Sequence, residues 1–142
     1  MRYLLCDGHS MIFAWPELRA THGRRTGAGR EELIRRLTQY QDATGTRVVA
    51  VFDGRGEKTS ETTEPGGIQI FYSGAGHSAD TIIERLCALY AGQHELTVAT
   101  DDNMERQTAI TFGANTVSSE ILRQMLEEAG GDLKRRLKKH NR

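Results

Sequence analysis

Five acidic residues of this 142-residue chain, Asp7, Asp53, Asp80, Glu84 and Asp101, fall where a site built from oxygen ligands could assemble. Asp7, Asp53 and Asp101 each follow at or near the end of a short apolar run: RYLLC at 2–6, RVVAVF at 47–52 and LTVA at 96–99. Asp80 lies in the first turn of a helical stretch, and Glu84 shares its face four residues on. Like charges brought close repel and destabilise a fold unless a cation neutralises them. Hard oxygen ligands with no Cys/His cluster point to Mg²⁺ or Mn²⁺ rather than zinc. Each acid alone has an ordinary explanation, because Asp before Gly is turn chemistry and Asp in a first helical turn is capping. Their arrival at one predicted edge favours a site. The spacing leaves the chemistry open between phosphoryl transfer, hydrolysis and plain cation binding.

The elements that must position these acids are short. Arg2–Cys6, Arg47–Phe52, Ile68–Tyr72, Leu96–Ala99 and a weaker Ala114–Val117 read as strands, apolar enough to be buried on both faces. Between them, Arg30–Ala43, Ala79–Ala91, Asn103–Phe112 and Ser119–Ala129 carry apolar residues at helical spacing. Ser78 is a candidate N-cap, Asp102 with Glu105 resembles a capping box, and Gly130-Gly131 supplies a stop. Two polar, Gly-rich segments, Thr21–Gly29 and Gly54–Gly67, read as mobile loops. Strands alternating with helices predict a three-layer α/β/α domain with a mostly parallel sheet of about five strands. In such a sheet ligands bind outside the carboxyl ends of the strands, the edge to which Asp7, Asp53 and Asp101 are delivered. The domain is expected to span 1–131, with 132–142 a basic tail.

Charge is balanced overall, with 19 basic and 19 acidic residues, and unevenly spread. Residues 19–36 carry +4 and residues 132–142 carry +5, which leaves −9 for the remainder. An acidic centre with basic flanks suits a metal-using enzyme acting on a polyanion, although charge runs are more often solvated faces. No apolar run approaches the roughly 20 residues of a membrane span. The opening MRYLLCDGHS reaches an Asp too early for a signal peptide, so the expected address is the cytoplasm, with no membrane partner. Cys6 and Cys87 read as buried reduced thiols, and His22, His94 and His140 show no ligand spacing.

The run LLCDGHSMIFAWPEL at 4–18 resembles the opening of NYN-domain proteins of the YacP-like branch, where an Asp-Gly-Tyr-Asn-x-Ile segment often precedes Trp-Pro-Glu-Leu. The likeness continues through VVAVFDG at 48–54, IQIFYSGAGHSADTIIERL at 68–86, TVATDD at 97–102 and GANTVSSEIL at 113–122. This resemblance implies a PIN-like fold and a metal-dependent endoribonuclease that hydrolyses single-stranded RNA; the branch includes a ribosome-associated nuclease that cuts translated mRNA. It implies Asp7, Asp80 and Asp101 as metal ligands for Mg²⁺ or Mn²⁺, Asp53 as a fourth acid or a partner behind the ligands, and Glu84 as an outer contributor. His9-Ser10 stands where the family has Tyr-Asn. Ser10 then has a shorter reach toward a water or phosphate, and His9 keeps a flat ring for stacking. His77-Ser78 and Thr81 likewise replace a more acidic run. Arg24, Arg25 and Arg30 are the expected RNA-phosphate contacts, with the basic tail a weaker second anchor. Trp15 and Tyr72 are candidates for stacking on bases, with a core role at least as well supported.

Rival readings follow from the same residues. Loss of the family Asn motivates an RNA- or ribosome-binding module with weak or no turnover. A haloacid-type phosphatase needs a second Asp two residues after the nucleophile, where His9 stands. A phospho-receiver needs an acidic pair and a late Lys, neither of which is evident. DNA cleavage is a third option within PIN-like proteins.

Overall fold

The computed structural model describes residues 1–54, 60–63, 67–74 and 78–140. The elements run β1 (Arg2–Asp7), α1 (Gly8–Ala14), α2 (Pro16–Arg24), α3 (Thr26–Thr44), β2 (Arg47–Asp53), β3 (Ser60–Thr63), β4 (Gln69–Ser73), α4 (Ala79–Tyr90), β5 (Glu95–Ala99), α5 (Asn103–Thr111), β6 (Asn115–Val117) and α6 (Ser119–His140). Leu4 to Asp7 and Val48 to Phe52 are buried without a break, the signature of strands covered on both faces. They form the middle of a six-stranded sheet of order β3-β4-β2-β1-β5-β6. Five strands are parallel, and β3 adds an antiparallel edge beside β4.

Alternation along the strands divides the interior in two. Leu4, Cys6, Val48, Ala50 and Phe52 pack with Met11, Ile12, Trp15, Leu18, Leu33, Leu37 and Leu122, from α1, the α1–α2 junction, α2, α3 and α6. Leu5, Val49 and Val51 face the other way, onto Ala79, Ile82, Ile83 and Leu86 of α4 and Ala109 of α5. The three-layer arrangement is the one expected. From β1 the chain steps to β2 and β4 on one side, then crosses to β5 on the other. The crevice beyond the carboxyl ends of β1 and β5 is therefore the topological switch point of the sheet.

Three local expectations need correction. Thr21–Gly29 is almost wholly helical, covered by the end of α2 and the start of α3. Pro16 opens α2 with a fixed φ suited to a first helical position, and Leu18 of that helix is fully buried. Gly54–Gly67 contains β3; its residues 55–59 and 64–66 lie outside the described residues. Gly130-Gly131 does not stop α6, which continues to His140 across the expected domain boundary. A glycine stop requires the left-handed conformation, and among the described residues only Gly45 and Gly113 have positive φ. Glycine inside a helix costs about 1 kcal/mol relative to alanine, which hinders a helix without ending it.

Asp7-Gly8 is also not a turn. A Cβ on Gly8 would lie 2.3 Å from the Phe52 ring, so glycine is required because β1 runs straight into α1 against β2.

Candidate metal centre

Asp7 ends β1 and is only 3% exposed. A buried carboxylate needs hydrogen bonds, and this one has several. It caps α1, accepting from the backbone N–H of His9 at 3.1 Å and of Ser10 at 3.4 Å. The Ser10 hydroxyl donates to Asp7 Oδ2 at 2.8 Å and accepts from the Asp101 N–H at 3.1 Å. Thr100, fully buried at the end of β5, places its Oγ1 3.1 Å from Asp7 Oδ2 and 3.0 Å from Glu105 Oε1. Its single proton can satisfy only one of those acceptors.

Glu105 is the group that makes this edge unusual. It lies in the first turn of α5 and is 5% exposed. Burial, hydrogen bonding with Asp80 and Asp7, and the charges of both push its carboxyl up to about 10. Carboxylate oxygens of Asp80, Asp102 and Glu105 lie within 4.8 Å of one another, the one such acidic grouping among the described residues. Asp102 is at the same time the N-cap of α5, accepting from Met104 at 2.8 Å and Glu105 at 3.0 Å. Four acids, Asp7, Asp80, Asp102 and Glu105, therefore converge on the crevice between β1 and β5.

The convergence differs from the expected set. Asp80 lies within the grouping, and Asp7 stands beside it against Glu105. Asp101 is exposed and sits outside the cluster: its two oxygens accept from Ser119 N at 2.8 Å and Ser119 Oγ at 2.6 Å, fastening α6 to the end of β5. Asp53 is likewise occupied structurally, its Oδ1 accepting from the Ala79 N–H at 3.3 Å and the Ser73 hydroxyl at 3.4 Å. It thus holds the start of α4, and with it Asp80, against β2. Glu84 is exposed one turn along α4; with Glu105 it adds charge near Cys87, whose thiol is pushed up to about 11, mainly by burial. Ser10 is buried and positions Asp7.

Asp102 and Glu105 are the residues missed. The sequence pairs them as a capping box, and Asp102 does cap, but Glu105 turns inward instead of reaching back. The Asp102 N–H is taken by Thr100 Oγ1 at 3.0 Å, so the reciprocal partner is already supplied. Ser78 occupies the N-cap of α4 without capping a backbone N–H; its hydroxyl lies 3.4 Å from that of Thr81.

Among the expected RNA contacts, His9 is exposed at the crevice and Arg30 donates to the Asp53 carbonyl at 2.8 Å. Arg24 and Arg25 are exposed where α2 meets α3, and Arg25 pairs with Glu31 at 3.0 Å. Trp15 is 2% exposed and its Nε1 donates to the Ser119 carbonyl, a core role. Tyr72 is half-buried against Phe52. His77 lies outside the described residues.

The pattern of the YacP-like NYN domain matches residues 4–142. The chain belongs to this family. It is 32% identical over 141 residues to the uncharacterized protein YacP of Bacillus subtilis (strain 168), covering 98% of this chain and 83% of that one. The crystal structure of Rae1 (YacP) from Bacillus subtilis superimposes with a TM-score of 0.81 at 31% identity, over 98% of this chain and 81% of that one. A point variant of the same protein gives 0.82 at 29% identity, over 98% and 82%. NYN domains are generally nucleases, and the acidic crevice occupies the edge at which α/β sheets bind ligands. No helix among the described residues is long and apolar enough to cross a membrane.

Proposed function

We propose that this NYN domain is a metal-dependent endoribonuclease that hydrolyses phosphodiester bonds of single-stranded RNA. The observation that carries the reading is the close approach of the Asp80, Asp102 and Glu105 oxygens, with Asp7 behind them, at the switch point of the sheet. The donor set is entirely carboxylate and has no ion pair among the described residues, which fits a hard divalent cation such as Mg²⁺ or Mn²⁺. Asp80, Asp102 and Glu105 would hold it, with Asp7 facing Glu105. When bound, such an ion supplies Lewis acidity toward a phosphoryl oxygen and acidifies a water.

The remaining work belongs to the chain. Ser10 from the first turn of α1 and Thr100 from the end of β5 hold the Asp7 carboxylate, so it does not reorganise when charge develops nearby. Asp53 keeps α4, and hence Asp80, at the strand ends. Arg30, at the rim beside Asp53, provides positive charge for a phosphate on an otherwise acidic edge. We place the protein's activity in the cytoplasm, on mRNA, with ribosome-bound message as the substrate that the family likeness favours.

The test is a 5′-labelled single-stranded RNA incubated with Mn²⁺ or with EDTA. Cleavage with the metal should leave 5′-phosphate and 3′-hydroxyl ends. Asp80→Asn should slow it at least about 10³-fold, equivalent to about 4 kcal/mol of transition-state stabilisation. Cleavage that persists in EDTA, or that survives Asp80→Asn, overturns the proposal. RNA binding by the wild-type protein without cleavage in Mn²⁺ selects the non-catalytic binding module instead.

A further inference from the structure

A cleft of about 260 Å³ opens beside the acidic crevice, lined by His9, Phe13, His22, Arg30, Phe52 and Asp53 among others. Its connection to the acids is direct. The His9 N–H donates to Asp7, and Asp53 Oδ1 accepts from Ala79, the residue before Asp80. Phe13 is 46% exposed in α1, a position at which burial of a phenyl ring would be favourable. Its ring lies 4.5 Å from that of His9 and 5.6 Å from that of His22, so three flat side chains form one wall. His22 also has a buried Nδ1 with no hydrogen-bond partner among the described residues, a polar atom that something entering the cleft could satisfy.

Arg30 closes the opposite side. Its guanidinium sits 5.9 Å from the centroids of both Phe52 and Tyr72, and one N–H donates to the Asp53 carbonyl. Among the described residues that is the only hydrogen bond of its five donors, which leaves a fixed cation able to meet a phosphate. The Asp53 carboxylate borders the same space as an acceptor. Exposed aromatics, a held cation and a carboxylate acceptor are the three groups that recognise an unpaired nucleotide: a face for its base, a charge for its phosphate and an acceptor for its amino group.

We propose that this cleft binds one unpaired nucleobase of the RNA strand next to the cleaved bond, with Phe13 as its stacking platform. The proposal rests on the ribonuclease reading above, and its test separates binding from cleavage. A fluorescein-labelled RNA hexanucleotide is titrated with wild-type protein in EDTA by fluorescence polarisation, alongside six versions with the base removed at each position in turn. Wild type should lose affinity at one or two of the six positions. Phe13→Ala and Phe13→Leu should each bind the intact RNA at least about five-fold more weakly, the low end of one base stack. Both should be insensitive to base removal at those positions, whereas Phe13→Trp retains wild-type affinity. The exposure of Phe13 keeps these changes out of the core, which thermal unfolding followed by circular dichroism would verify.

Wild-type affinity in the Ala and Leu variants overturns the proposal, as does an equal loss on intact and base-free RNA. If Mn²⁺-dependent cleavage still disappears in Asp80→Asn under those outcomes, the nuclease reading stands and only the cleft assignment falls. A wild-type protein that neither binds nor cleaves the RNA removes both.

Discussion

Glutamates in two regions of this fold are pushed in opposite directions. At the crevice between β1 and β5, Glu105 meets Asp7 and Asp80, and its carboxyl rises to about 10. On the face shared by α2, α3 and α6, hydrogen bonds from Arg35, with Arg36 adding to them, lower Glu32 to about 2. Glu17 on the same face bonds Arg36 at 3.0 Å and pairs with Arg123, while Arg36 and Arg123 lie 5.8 and 5.6 Å from the Trp15 ring. Arg35, Arg36 and Arg123 thus neutralise the acids of that face, one layer away from the crevice. At the sheet edge Asp7, Asp80, Asp102 and Glu105 meet with no ion pair among the described residues, an arrangement in which full ionisation is unfavourable. A fold tolerates such an arrangement where something else brings the missing charge.

The largest change expected from breaking that contrast is metal-dependent stabilisation. Mn²⁺ at 100-fold over its Kd should stabilise the wild-type protein by about 2.7 kcal/mol, roughly 10 °C in Tm for a domain of this size. Asp80→Asn and Asp102→Asn should abolish most of that increase, and Glu32→Gln should keep all of it. Differential scanning fluorimetry with and without EDTA provides the measurement. An equal Mn²⁺ shift in all four proteins would mean that the ion binds elsewhere.

How much of this was readable beforehand depended on whether a residue's fate was set locally. Uninterrupted apolar runs such as RVVAVF identify parallel strands because only two-sided burial accommodates them, and their carboxyl ends put Asp7 at the sheet edge where the structure has it. Asp80 was legible from its place in the first turn of α4. The end of α2 and the start of α3 were not, because Gly23, Gly27 and Gly29 imitate a loop, while the distant burial of Leu18 and Trp15 holds α2 in place. Glu105 illustrates the harder case. Three residues past an N-cap, a glutamate can reach back to the cap or turn into the protein, and local spacing is identical for both. Thr100 decides it by supplying the cap's N–H acceptor. Asp101 lies outside the grouping for a similar reason: its oxygens accept from Ser119, 18 residues onward, and that meeting requires the assembled β5–β6–α6 unit.

A second, smaller effect concerns pH in the absence of metal. The Glu105 carboxyl titrates near 4.5 when unfolded and near 10 when folded. Between those values the native state keeps a proton that the unfolded chain has released, so stability falls as pH rises across the window. In EDTA, wild-type Tm should decline from pH 5 toward pH 9 more steeply than that of Glu105→Gln, whose amide mimics the protonated acid. At pH 8 the variant should melt about 5 °C higher. It should also gain nothing from Mn²⁺ beyond what the remaining acids provide. Parallel pH profiles for the two proteins would show that Glu105 is not the buried acid holding the proton.

The smallest effect lies on the arginine-rich face. Glu32 is lowered in the folded state, so its contribution is fully present above about 4.5 and disappears as pH falls toward about 2. Its partners are partly solvent-facing, with Arg35 side chain 56% exposed, and pairs of this kind contribute about 0.5 kcal/mol. Glu32→Gln should therefore shift the urea midpoint only slightly at pH 7, by less in 1 M salt, and by almost nothing at pH 2.5. The sign is opposite to that of Glu105→Gln: one glutamine substitution weakens the protein where the carboxylate was matched, and the other strengthens it where the carboxylate was left for a cation. Should Glu32→Gln stabilise at pH 7, the face would be no better compensated than the crevice, and the contrast between the two regions would lose its physical basis.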